Sequence, residues 1–274
     1  MGRLRVWNAL RKTKSDRPPK GEMVIEDAFL REAGLSREAL LEELQADLVS
    51  LPVDFRSRVD WSYWSGKDYF TFALINGPFN TLIESLGWVR ASEWIVHKPS
   101  ISRGFMGNYL ESIYKVAAGA LEGGCEGLIL GDDLAGKSGL LVDPAYLRRY
   151  YFPELRCWLK KMQVSDIPIL FHSDGDVAGI IPDLARAGFW GIHGLQPDAG
   201  MNPGVVPPEM IKTWVWWGNL QFEGPLGLKD PFQLKSEAIK LCRDWGRAPG
   251  YILGSCGGLY PGLPLELVRA AYRT

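Results

Sequence analysis

Residues 167–188 read Ile-Pro-Ile-Leu-Phe-His-Ser-Asp-Gly-Asp-Val-Ala-Gly-Ile-Ile-Pro-Asp-Leu-Ala-Arg-Ala-Gly. The run Ile167–Phe171 is short and apolar, which suits a buried strand. It breaks at once into His172-Ser173-Asp174-Gly175-Asp176, and the stretch through Leu184–Ala187 stops at Gly188, a natural helix C-cap. A strand, a polar turn and a helix in that order make one βα unit.

The unit recurs along the chain. Strand-like runs fall at Met23–Ile25, Leu48–Pro52, Phe70–Ile75, Gly127–Leu130, Ile167–Phe171, Gly191–Leu195, Trp214–Trp217 and Tyr251–Leu253. Helical stretches lie between them. Ser36 is placed to cap a helix beginning Arg37-Glu38, and Asp143-Pro144 is a cap followed by proline at the first helical position. Within 107–121, Leu110, Ile113, Val116, Ala117 and Ala120 form a helical stripe. Alternating strands and helices build a parallel sheet. About eight such strands predict an α/β fold, a single-domain (β/α)8 TIM barrel over residues 1–274, with a basic helix and loop over 1–20. The competing architecture, a doubly wound open sheet, normally carries a Gly-rich phosphate turn after an early strand. Gly123-Gly124 instead precedes a strand.

Bulk properties narrow the function. Of 274 residues, 46% are hydrophobic and 23% charged, which suits a large core, and the net charge of -1 gives no support for a nucleic-acid or anionic-membrane partner. No apolar run reaches the roughly 18 residues that span a bilayer. The four cysteines, Cys125, Cys157, Cys242 and Cys256, show no CxxC spacing, so free thiols in a reducing cytoplasm are expected.

In a barrel, chemistry collects where strands end and βα loops begin. The polar residues at those places are Glu26-Asp27, Asp54, Asn76, Asp132-Asp133, His172-Ser173-Asp174, Gln196, Asn219 and Ser255-Cys256. His172 and Asp174 stand two apart where a strand unwinds, so both can enter one cavity as metal ligands or as an acid/base pair. The alternative is a capping role for both. Cys256, in the flexible run Gly254–Gly258, can complete a zinc site with His172 or be an inert thiol. Asp132 and Asp133 can bind a cation or move a proton, or simply cap a loop. His193 alternates with Ile192 and can point into the barrel.

Several stretches together resemble the uroporphyrinogen decarboxylase superfamily, which includes corrinoid-linked methyltransferases. They are Arg17–Glu22, Asn76-Gly77-Pro78-Phe79, Gly131-Asp132-Asp133 with Leu140–Pro144, Phe171–Asp176 with Ile181–Leu184, Gln196-Pro197 with Ala199–Met201, Trp217-Gly218-Asn219, and 250–264. The resemblance implies a barrel enzyme, with Asn76, Gln196 and Asn219 near a bound cofactor or substrate and Asp132, Asp133 and Asp174 as catalytic carboxylates. The decarboxylase proper carries an arginine-rich RQAGR signature. Here residues 11–17 read Arg-Lys-Thr-Lys-Ser-Asp-Arg instead.

The methyltransferase branch holds zinc on a His-x-Cys pair and a later Cys. His172 and Cys256 match the outer positions and Asp174 takes the middle one. Aspartate is harder than thiolate and leaves zinc more Lewis-acidic. The resemblance therefore implies zinc on His172, Asp174 and Cys256, and methyl transfer from a methylated small molecule, such as a methoxylated aromatic, to a corrinoid carried by a partner protein. Homodimers suit the family. The alternatives are tetrapyrrole decarboxylation and a barrel that binds a tetrapyrrole or corrinoid without turnover. An apolar rim for the corrinoid is expected, with Trp61, Tyr63, Trp64 and Tyr69 as candidates unless they pack in the core.

Overall fold

The computed structural model describes residues 1–273 apart from 163–165, 223–229 and 246–248. Nine strands are described: β1 Leu48–Pro52, β2 Phe70–Asn76, β3 Gly127–Gly131, β4 Ala135–Gly136, β5 Gly139–Leu140, β6 Ile169–Ser173, β7 Gly191–Gly194, β8 Val215–Leu220 and β9 Tyr251–Ser255. β4 and β5 form a small antiparallel pair. The other seven make one parallel sheet in the order β1-β2-β3-β6-β7-β8-β9. Each strand pairs with the next one along the chain, so the sheet curls in one direction and never reverses as a doubly wound sheet does.

The expected strand at Met23–Ile25 does not form. Only two isolated bridges, Lys20↔Leu253 and Ile25↔Leu259, link this segment to β9 and the loop behind it. Toward β1 the contacts run through one short stretch: the Lys20 amide donates to Asp47 Oδ2 (2.9 Å) and the Asp47 amide donates to Lys20 O (2.8 Å). Trp217 Nε1 takes the Gly21 carbonyl at 2.9 Å. Two prolines, Pro18 and Pro19, also remove donors just upstream. The Lys20 amide and the Gly21 carbonyl are thus taken by side chains, the remaining pairing stays at isolated bridges, and the sheet has seven strands among the described residues.

Strand alternation sorts the core into two layers. Phe70 and Phe72 of β2, Ile129 of β3, Leu170 of β6, Val215 and Trp217 of β8 and Ile252 of β9 pack together inside the curl. Their odd-phase neighbours, such as Ile75, Leu128, Leu130, Phe171 and Trp216, face outward against the helices. The helix Gly2–Leu10 closes the end where strands begin: Val6, Ala9 and Leu10 join the inner layer, and Arg3 pairs with Glu126 just before β3 (2.8 Å).

The expected helix start at Ser36 is observed, its side chain accepting from the Ala39 amide at 3.1 Å, and Asp143 accepts from Ala145 at 2.7 Å. The stripe expected within 107–121 belongs to a longer helix, Pro99–Glu122. The cysteines are all free. Trp61 and Trp64 are buried in the outer core, and Trp61 lies against Gly123 at the end of that helix, before β3 begins. The helix Trp61–Ser65 also holds Arg3 through the Ser65 carbonyl (3.2 Å). These aromatics therefore sit toward the end of the sheet opposite the mouth and form no rim there.

Candidate functional site

His172 lies on β6 in phase with Leu170, and its register partners are Gly131 on β3 and His193 on β7. Inward positions near the C-terminal end of the sheet thus place His172 beside Asp132-Asp133, which directly follow β3. His172 Nε2 is 3.6 Å from Asp133 Oδ1. The Asp174 amide donates to the same Oδ1 at 3.0 Å. Ligand atoms of Asp133, His172 and Asp174 all lie within 4.8 Å of one another, and among the described residues no other trio of His, Cys, Asp or Glu does so. One imidazole and two carboxylates are a donor set suited to a divalent cation such as zinc.

The surrounding chain holds this trio in place. Asn80 grips Asp133 twice: its Oδ1 accepts from the Asp133 amide (3.1 Å) and its Nδ2 donates to Asp133 Oδ2 (3.4 Å). Ser173 Oγ accepts from the Leu134 amide (3.0 Å) and donates to the Asp174 carbonyl (2.8 Å). Gly175 has φ +79, and a Cβ there would lie 2.5 Å from the Ala135 carbonyl carbon, so the turn after Asp174 requires glycine. Its amide donates to Gln196 Oε1 at 3.1 Å.

The remaining expected residues divide. Asp132 is fully buried and spans a helix N-terminus, accepting from the amides of Phe79 (3.0 Å) and Asn80 (2.6 Å) and from the Tyr151 hydroxyl (2.5 Å). Burial pushes its carboxyl up to about 7. Asn219 is buried in strained backbone at φ 92 and ties β8 to the chain after β7 through the carbonyls of Leu195 and Met201. Asn76 donates to Glu84 (3.0 Å) and, with Asn80, Gly131 and His172, lines a cavity of about 420 Å3. Cys256 does not join the trio: its amide is held by Leu220 O (2.8 Å), and burial raises its thiol to about 12. The expected set His172, Asp174 and Cys256 is brought together in its first two members, and Asp133 takes the third place.

Burial also raises Asp174, helped by the Asp133 charge and opposed by His172. Two residues near the trio carried no assigned role in the sequence. Asn80 follows the Gly77-Pro78-Phe79 turn directly. His193 stands beneath His172, with their Nδ1 atoms 2.9 Å apart.

The sequence profile of the family described as uroporphyrinogen decarboxylase (URO-D) matches residues 66–274, a span that holds the trio and every strand after β1. The chain belongs to the URO-D family. The matched span begins after Arg17–Glu22, so that stretch of the likeness lies outside it. No curated protein sequence matches the chain.

Among solved structures, this URO-D family member is similar to a methyltransferase from Methanosarcina mazei. The two share 17% identity and a TM-score of 0.76, with 98% of this chain and 96% of that one covered. At that identity the likeness concerns the fold. Two weaker likenesses carry no argument. One is to the class V chitininase from Pseudomonas fluorescens Pf-5 (TM-score 0.45, 10% identity, 85% and 96% covered). The other is to the spore cortex-lytic enzyme SleL from Bacillus megaterium QM B1551 (0.47, 8%, 95% and 74%). Among the described residues, no helix is long and apolar enough to cross a membrane.

Proposed function

We propose that this URO-D family member is a zinc-dependent methyltransferase that moves a methyl group from a methylated small molecule, such as a methoxylated aromatic, to a corrinoid on a partner protein. The observation that carries the reading is the Asp133–His172–Asp174 trio opening beside a cavity of about 420 Å3. The fold shared with the Methanosarcina mazei methyltransferase is in keeping with it.

His172, Asp133 and Asp174 would hold the ion. Zinc bound there supplies Lewis acidity toward the heteroatom that carries the methyl group. Asn80 orients Asp133 through both ends of its amide, and Asn76 and Asn80 present polar groups to a donor in the cavity. The bond between the methyl carbon and its heteroatom breaks with the electron pair staying on the heteroatom. The corrinoid of the partner would serve as the acceptor of the methyl group. Asp132, occupied by Tyr151 and two amides, positions the loop. An apolar rim for the partner is offered by Trp88 (50% exposed) and Leu141 (45%), which line a separate cavity with Tyr146 and Tyr150. A homodimer is compatible with this reading.

Tetrapyrrole decarboxylation is the less favoured reading. A polycarboxylate substrate calls for cationic groups, and among the described residues the cavity beside His172 is lined by Asp54 and by no lysine or arginine. The deciding experiment has two measurements: metal content of protein purified without chelators, and methylation of free Co(I) cobalamin across a panel of methyl donors. Near-stoichiometric zinc that is lost in H172A, together with donor-dependent transfer, supports the reading. Metal-free protein that transfers nothing sinks it.

A further inference from the structure

A cavity of about 430 Å3 shares no lining residue with the one beside His172. Trp88 and Val96 reach it from the helix Trp88–His97, Leu141 from the chain just after β5, and Tyr146, Arg149 and Tyr150 from the helical stretch that follows. Its size is that of a small-molecule site, which commonly joins mostly apolar walls to a few polar groups. Three of its apolar side chains are open to solvent: Trp88 is 50% exposed, Leu141 45% and Val96 68%.

The aromatic groups are held in place from behind. Ser102 Oγ donates to the Pro99 carbonyl (3.0 Å), so the Tyr146 hydroxyl is the donor in its contact with Ser102 Oγ (2.6 Å). With its polar end satisfied there, Tyr146 offers the cavity its ring. The Tyr150 ring lies 5.3 Å from that of Tyr146, and Trp88 is braced edge-on by Phe79 at 6.2 Å, measured between centroids. Arg149 and Tyr150 belong to a π-helical turn, Leu147–Tyr151, set between the α-helical segments Pro144–Tyr146 and Phe152–Met162. Such turns are rare and are found frequently at functional sites.

The charged groups of the lining are Asp143 and Arg149. Asp143 is committed to the helix start, where it accepts from the Ala145 amide (2.7 Å). Among the described residues Arg149 makes no ion pair, and its Cζ lies 5.3 Å from the Tyr150 ring centroid. A guanidinium stacked on a ring keeps its in-plane N–H donors free, and their fork matches a carboxylate.

We propose that this cavity binds a small aromatic carboxylate, with its ring among Trp88, Tyr146 and Tyr150 and its carboxylate on Arg149. The site is separate from the trio, and the proposal does not rest on the methyl-transfer reading.

Calorimetric titration of the full-length protein with 2-naphthoate and with the uncharged 2-naphthylmethanol tests it. Wild type is expected to bind one equivalent of the acid saturably, and the alcohol about 10-fold more weakly. Arg149→Met keeps the apolar stem and loses the charge. It should bind the acid about 10-fold more weakly than wild type and the alcohol equally well. Ser92→Phe, which fills the cavity from the helix Trp88–His97, should bind neither. Ser92 and Arg149 are both exposed, so neither substitution disturbs the core. His172→Ala should bind the acid as wild type does. Absence of saturable binding by wild type overturns the proposal, as does equal binding of the acid by wild type and Arg149→Met. Binding that survives in Ser92→Phe, or is lost in His172→Ala, places the ligand elsewhere and overturns it too.

Discussion

Asp132 fills the space that a side chain on Gly77 would need: a Cβ there would lie 2.2 Å from Asp132 Cγ. Gly77 has φ -84, which any residue can adopt, so the requirement for glycine is steric and not conformational. The carboxylate occupies this spot because the helix Pro78–Leu86 begins there with amides that need acceptors. This contact joins the end of β2 to the Asp132-Asp133 turn and so places Asp133 beside His172.

Gly77→Ala should therefore destabilise the protein by about 1–3 kcal/mol, the usual cost of overpacking. Thermal unfolding measures it. An unchanged midpoint would mean that Asp132 moves aside freely and does not locate Asp133.

Asp132 also makes stability depend on pH. Its carboxyl is pushed up to about 7 by burial, above the ordinary unfolded value of about 3.9. A group raised on folding contributes stability that is fully present below the unfolded value and is lost as pH rises through the folded one. Wild type should thus lose stability relative to Asp132→Asn between about pH 4 and about pH 8. A constant gap between the two unfolding curves would show that Tyr151 and the helix amides keep Asp132 ionised throughout.

The composition of the candidate metal trio can be tested by exchanging its contested member. Asp133→Asn should lower Co2+ affinity by about 100-fold, and Asn80→Ala by about 10-fold through loss of the orienting amide. Cys256→Ser should bind as wild type does, because the Cys256 sulfur is not among the ligand atoms that lie within 4.8 Å of one another. The reverse ranking, with Cys256→Ser losing metal and Asp133→Asn retaining it, would restore the ligand set expected from the sequence.

One buried carboxyl adds side-chain hydrogen bonds to the backbone pairing between residues 19–26 and the β9 region. Glu22 accepts from Ser255 Oγ (2.6 Å) and from the Tyr272 hydroxyl (2.5 Å), and Tyr272 returns its carbonyl to Lys20 Nζ (2.5 Å). Tyr272→Phe leaves Glu22 short of a donor and should cost about 1–3 kcal/mol. Denaturant unfolding gives the value, and a loss below a few tenths would mean that Ser255 alone satisfies Glu22.

At the opposite end, Leu10 is fully buried in the inner layer beneath the strands. Leu10→Ala should cost about 2–5 kcal/mol as a large-to-small core change. A negligible effect would show that the helix Gly2–Leu10 lies under the sheet without contributing to its packing.

Much of this architecture was written locally in the chain. Apolar runs of strand length, each followed by a polar turn and a helical stripe, locate all seven strands of the sheet to within about three residues. The same runs place His172, Asp133 and Asp174 at strand ends. Such signals survive because side-chain alternation and helix capping involve neighbours in sequence. What the tertiary structure alone decided were contacts between distant segments. The Met23–Ile25 run looks like a strand, but Asp47 and Trp217 take polar groups on the approach to it. Trp61 and Trp64 look suited to a rim, yet they pack in the outer core near Gly123. Asp133 rather than Cys256 completes the trio, and His193 sits under His172, because register between strands sets which inward positions meet. Register comes from how neighbouring strands pair, and no single strand encodes it.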